Sequence, residues 1–145
     1  MGLFGKSKSK HPTVPANAKP SDPKWARNKR GKYHRLSLFE PYDAGLSGVA
    51  GVYVVWHSGV RPRWVYVDRA SDLAGAIEGL QESSEIMEYE KHGGLYVTWA
   101  NVRDEYLPGV LRYLTETMEP EVDNPDARRI KADPVPVIAP GEGAR

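Results

Sequence analysis

Two runs of β-branched and aromatic residues, Gly51–His57 (GVYVVWH) and Arg63–Arg69 (RWVYVDR), are separated by only five residues, and they constrain the fold more than anything else in the chain. Residues of this kind suit a pleated, buried surface. A connection so short can join only antiparallel neighbours. Ser58-Gly59 and Arg61-Pro62 supply the turn. A hairpin is therefore the starting point for any fold this sequence adopts.

Beyond the hairpin the apolar period changes. Leu73, Ile77 and Leu80 recur at i, i+4 and i+7, which predicts one apolar helical face. Ser71 is the expected N-cap, with Asp72 in the first turn, where the helix dipole favours an acid. The polar stretch Gln81–Glu85 is expected to divide this helix from a second apolar group, Ile86, Met87 and Tyr89, which His92-Gly93-Gly94 ends. Leu95–Ala100 (LYVTWA) reads as a third strand. Pro108 suits the first turn of a last helix, lined by Val110, Leu111, Leu114 and Met118 and stopped by Pro120. The order predicts an α+β fold, a small three-stranded mixed sheet packed against two or three helices.

The net charge of +1 conceals a division. Residues 1–35 hold ten Lys/Arg and a single acid, Asp22, whereas the other 110 residues hold ten Lys/Arg and eighteen Asp/Glu. Residues 1–23 carry four prolines and little that is apolar after Phe4. Such a composition buries too little surface to offset its ordering entropy. The expected organisation is a basic, largely disordered arm over 1–35, the α+β domain over 36–124 and a Pro/Gly-rich tail over 125–145. The absence of Cys excludes a disulfide framework, a thiol nucleophile and a thiolate metal site, and fits the cytoplasm. No apolar run approaches the roughly 20 residues of a membrane-spanning helix.

Gly51-Val52-Tyr53 is followed, after twelve intervening residues, by Tyr66-Val67-Asp68 and then by Ser71-Asp72-Leu73. This succession resembles the opening of the GIY-YIG nuclease domain, and the resemblance covers roughly Gly48 to Asn124, about half the chain. In that family a Gly-Ile-Tyr strand and a Tyr-Ile-Gly strand precede a helix that begins Asp/Asn-Leu-x-x-Arg. A later glutamate binds a divalent metal, the arginine contacts phosphate and a strand tyrosine helps activate water. The resemblance implies that Tyr53 and Tyr66 are the remnants of the signature tyrosines. It also implies that the chemistry has been lost. Asp68 stands in place of the glycine of the second motif, Ala76 in place of the arginine and Leu111 in place of the glutamate. Glu116 is about 140° round the helix from Leu111, and Glu105 precedes Pro108, so neither replaces it. Metal is indispensable to such a mechanism, because it stabilises the charge that develops on phosphate. No catalytic residue, metal site or cofactor is expected.

The densest cationic stretch, KWARNKRGKYHR, offers Lys24, Trp25, Arg27, Lys29, Arg30, Lys32, Tyr33 and Arg35 as candidate binding residues. Its cations would neutralise phosphates while its aromatics stack on unpaired bases. The same composition also suits a solvated linker, or docking on an acidic protein surface such as the chain's own Glu82, Glu85, Glu88 and Glu90. Those glutamates spread round a helix without the loop geometry of a Ca²⁺ site. The four histidines, His11, His34, His57 and His92, have no ligand spacing. His57 has no nucleophile to serve, since Ser58 points to the opposite strand face. Trp56, Trp64 and Trp99 fall on strands, where core packing is the default, although an outward-facing set would mark a binding surface. The expected function is a non-catalytic binding or accessory subunit on a GIY-YIG-like fold, tethered through its arm to a protein assembly or to nucleic acid. The alternatives are a sequence-independent nucleic-acid-binding protein and a divergent metal-dependent nuclease.

Overall fold

The computed structural model describes residues 12–59 and 63–141. Strands β1 (His34–Arg35), β2 (Gly51–His57), β3 (Arg63–Ala70) and β4 (Leu95–Ala100) form one sheet in the order β1-β4-β2-β3. Every pairing in it is antiparallel. The α+β class holds, but the expected three-stranded mixed sheet is corrected to a four-stranded antiparallel one. β1 escaped the sequence reading because two residues in a basic run carry no alternation to detect. β3 and β4 run in the same direction, joined by a helical crossover, but β2 lies between them, so each meets only opposed neighbours.

The remaining elements are α1 (Leu73–Gln81), α2 (Ser84–Met87), a 3₁₀ turn over Glu88–Lys91, α3 (Leu107–Met118) and α4 (Pro125–Arg128). They cover both faces of the sheet. Tyr53 and Val55 of β2 pack with Leu36, Phe39, Leu73 and Ile77 on one side. Val52 and Val54 pack with Val110, Leu111 and Leu114 on the other. Strand alternation thus builds two half-cores from one segment, which is why β2 is apolar throughout rather than alternating. A bulge in β3 alters this pattern locally. Val55 faces Tyr66 and Trp56 faces Trp64, leaving Val65 as the extra residue. Val65 and Tyr66 both lie on the α1 side, while Trp64 stays on the α3 side.

Local signals behave mostly as their chemistry dictates. The helix divides where the polar stretch stands, and the Ser83 hydroxyl accepts from the Ile86 N–H at 3.3 Å to start α2. At α1 the boundary residue is Asp72 rather than Ser71, and its carboxylate accepts instead from the Gly48 N–H of the preceding loop at 2.9 Å. Pro108 sits in the first turn of α3, and Glu119 ends it in the left-handed region at φ 50°. The outer edge of β3 is occupied by the following segment. Glu121 and Val122 donate to the Trp64 and Val65 carbonyls at 3.0 and 2.9 Å, and the Asn124 amide donates to Val67 at 3.1 Å. That pairing removes the exposed edge that would otherwise invite association.

Both flanks are built into the domain where they are described. The Ala26 N–H donates to the Trp99 carbonyl at 2.9 Å, and the buried Thr98 hydroxyl donates to Ala26 at 2.7 Å, so the arm continues the edge of β4. The Trp25 indole packs into the α3-side core and donates to the Ile138 carbonyl at 2.7 Å. Ser21 bridges Val137 in parallel. The Val135 N–H donates to the carbonyl of Gly109 at 3.0 Å, and Ala132 and Val137 are buried. The arm and tail boundaries expected at 35 and 125 therefore do not mark where packing stops. Composition misled here because one well-placed Trp and a few backbone hydrogen bonds anchor each flank. The arm's first eleven residues lie outside the described ones. Among the described residues no helix is long and apolar enough to cross a membrane.

Candidate functional site

The two tyrosines that carry the resemblance stand together. Tyr53 on β2 lies directly opposite Asp68 on β3, and Tyr66 is two residues along on the same face. The rings are 6.2 Å apart at 44°. The Tyr66 hydroxyl donates to the Asp68 carboxylate at 3.3 Å, and Tyr53 lies across the strand pair from the same group. Burial, and after it the Asp68 charge, raises both phenols far above their ordinary range. Each is held as a neutral phenol. A tyrosinate that accepts a proton from water is the species this environment disfavours most.

The other positions matched to the nuclease pattern do not converge on these tyrosines. Ala76 packs against the α1-side core with no polar group to offer. Leu111 is 1% exposed and lies in the core on the opposite face of the sheet. Glu116 is occupied by Arg112 at 3.0 Å, and Glu105 by Arg103 at 2.8 Å. Among the described residues, no three His, Asp or Glu side chains are arranged to hold a metal.

The basic segment 24–35 separates into anchors and free cations. Trp25 is an anchor, as above. Tyr33 packs edge-on against Trp56 at 4.9 Å, and its hydroxyl accepts from Arg27 and from the Gly141 N–H, both at 2.8 Å. Arg35 pairs with Glu90 at 2.6 Å, one of the four glutamates considered from sequence as a partner for the arm. Lys24 faces Asp22 at 3.9 Å, an exposed and therefore weak pair. Lys29, Arg30 and Lys32 are exposed and make no ion pair among the described residues. They sit on a closed turn built by Asn28, whose side chain accepts from the N–H groups of Arg30 and Lys32 at 2.9 and 3.0 Å. The Asn28 N–H donates to Lys32 at 2.7 Å, the Gly31 N–H to Asn28 at 2.9 Å, and Arg27 to the Gly31 carbonyl at 3.0 Å. Gly31 takes φ +75°, a conformation open to glycine. Asn28 is the organising residue that the sequence reading passed over. Asn before a Gly three residues on is the turn signal that marks it.

A concavity of about 720 Å³ lies on the α1 side and is lined by His57, Tyr89, His92, Arg63 and Glu121. The His57 and His92 rings are 5.1 Å apart. Burial, then the neighbouring His92, lowers the pKa of His57. Its Nδ1 accepts from the Gly59 N–H at 3.4 Å, and the Ser58 hydroxyl turns away to donate to the Gly93 carbonyl at 3.1 Å. His57 and Ser58 form no catalytic pair.

No family model matches the chain, and neither does any curated protein or solved structure.

Proposed function

We propose that this chain is a non-catalytic binding module of GIY-YIG-like build that docks a polyanion, nucleic acid in the first instance, on the cations of residues 24–35. One observation carries the reading. Lys29, Arg30 and Lys32 are held exposed, without ion pairs among the described residues, on a turn closed by Asn28. Three cations within four residues suit closely repeated phosphates, and a turn already closed loses little freedom on binding. An acidic protein surface is the second reading. The Arg35–Glu90 pair supports it, since the segment already meets one carboxylate of an acidic helical face. The two tyrosines held neutral beside Asp68 and the scattered Ala76 and Leu111 positions argue against inherited cleavage.

The test is titration of DNA and RNA oligomers at low and physiological salt with the full chain and with a Lys29→Gln/Arg30→Gln/Lys32→Gln variant. The expected result is salt-sensitive binding by the full chain, with a salt slope lower by about 2–3 in the variant, roughly one phosphate contact per cation. No cleavage is expected with Mg²⁺ or Mn²⁺. Binding that is absent at low salt would turn the reading towards the protein partner, and metal-dependent cleavage would overturn it.

A further inference from the structure

On the α3 side of the sheet the four strands align at one register position. Arg35 lies opposite Tyr96, Tyr96 opposite Trp56, and Trp56 opposite Trp64. Directly paired residues share a face, so these side chains form one row across every strand. Tyr96 and Trp56 stack with centroids 5.9 Å apart and planes at 20°. Trp64 meets Trp56 edge-on at 5.9 Å, and the Arg35 guanidinium lies 5.5 Å from the Tyr96 ring centre. The next row on the same face, Thr98, Val54 and Val67, is fully buried under Ala26 and α3. The aromatic row beyond it is less deeply covered, its three rings half-buried, with Trp56 and Trp64 packed against the margin of the α3-side core. The β3 bulge is what keeps Trp64 in this row, by absorbing Val65 without turning Trp64 to the other face.

The row runs directly into the basic turn. Tyr33 packs against Trp56, Arg27 stands 4.2 Å over Tyr33, and Lys29, Arg30 and Lys32 follow on the turn. Half-buried rings, and cations that make no ion pair among the described residues, therefore lie side by side on one surface. That is the pairing a single strand requires, with bases stacked on aromatics and phosphates tracked by cations. A duplex keeps its base faces within its own stack, and a polyanion without bases has nothing to place on the rings.

We infer that Tyr96, Trp56 and Trp64 form a base-stacking platform for single-stranded nucleic acid, DNA or RNA, whose phosphates lie along the Asn28–Lys32 turn. The inference rests on the polyanion-docking reading above and names its ligand as single-stranded. Its test is titration of the full chain with oligo(dT) and oligo(U) of about twelve nucleotides, with a duplex and with heparin, followed by tryptophan fluorescence. Both single strands are expected to quench the fluorescence and to bind at least tenfold more tightly than duplex. The stronger of the two identifies DNA or RNA as the preferred source. Trp64→Leu and Tyr96→Leu are expected to weaken single-strand binding about tenfold each, the loss of one stacked base, while heparin binding stays unchanged. The thermal midpoint of each variant reports that it is folded at the titration temperature, and Trp56→Phe, which keeps a ring, is expected to retain most of the affinity. If single strands, duplex and heparin bind alike and the ring variants lose nothing, the platform is refuted while charge-based docking stands. If no polyanion binds at low salt, both fall.

Discussion

At the scale of single residues, Asp68 decides how the conspicuous tyrosines are read. A glycine there would leave the strand open to close approach by a phosphate. The carboxylate instead accepts a hydrogen bond from Tyr66 and sits opposite Tyr53. Tyr66→Phe is therefore expected to lower stability by about 1 kcal/mol, the worth of one hydrogen bond, and to leave nucleic-acid affinity unchanged. Denaturant unfolding beside an oligomer titration checks both. His57 gives a pH prediction with a definite sign. Its folded pKa lies below the ordinary 6.5, so the unfolded chain takes up a proton first as pH falls. Stability is full above about 6.5, decreases as pH drops through it, and levels off below the folded pKa. His34, also lowered by burial, adds to the same slope. His92, Tyr89, Arg63 and Glu121 face His57, and none of them can be ignored in the profile. His57→Gln is expected to flatten the dependence, measured as the thermal midpoint above and well below pH 6.5. Side-chain types and their order were readable from the chain at this scale. The meeting of Tyr53 with Asp68 was not, because it depends on strand register rather than on spacing.

The elements were legible in proportion to their length and periodicity. β2, β3, β4, α1 and α3 all announce themselves by burial pattern, and the break before α2 by its polar run. β1 and α4, of two and four residues, carry too few positions to show a period. The bulge was hidden for a different reason, since Arg63–Arg69 reads as an unbroken strand and only pairing with β2 shows the extra residue. Gly109 offers a direct probe of how α3 holds the C-terminal segment. A Cβ there would meet Val135 Cγ2 at 2.6 Å and the Asp133 carbonyl, on a backbone that accepts from Val135. Gly109→Ala gains helix propensity worth about 1 kcal/mol yet must displace that contact. The expected outcome is a net loss of stability with faster hydrogen exchange at the Val135 amide. A stabilised protein with unchanged exchange would show that the segment is not seated there.

Across the whole molecule, the two flanks and the sheet form one unit. Ser21 pairs with Val137, Trp25 with Ile138, and the Tyr33 hydroxyl with the Gly141 N–H, so the basic arm is laid over the C-terminal segment and β4. Trp25→Ala is expected to cost about 3 kcal/mol, read by denaturant unfolding, because it removes a packed indole and leaves a carbonyl without its donor. It follows that deleting residues 1–35 would remove β1 and part of the core as well as charge. Loss of binding on such a deletion does not by itself identify the arm as a contact. Composition placed the charge division correctly in the chain but could not place it in space. Lys29, Arg30 and Lys32 stay exposed, without an ion pair among the described residues, whereas Arg35 and Trp25 are committed inward, a distinction set by tertiary neighbours. The glutamine substitutions at residues 29, 30 and 32 leave those anchors in place and remove only the exposed charge. The deciding measurement is therefore the affinity of one single-stranded oligomer for the full chain and for this triple variant, followed from low to physiological salt. Tight, salt-sensitive binding by the full chain is expected, with a weaker, shallower dependence in the variant at unchanged thermal midpoint. Equal affinity and equal salt slope in the two proteins would contradict it.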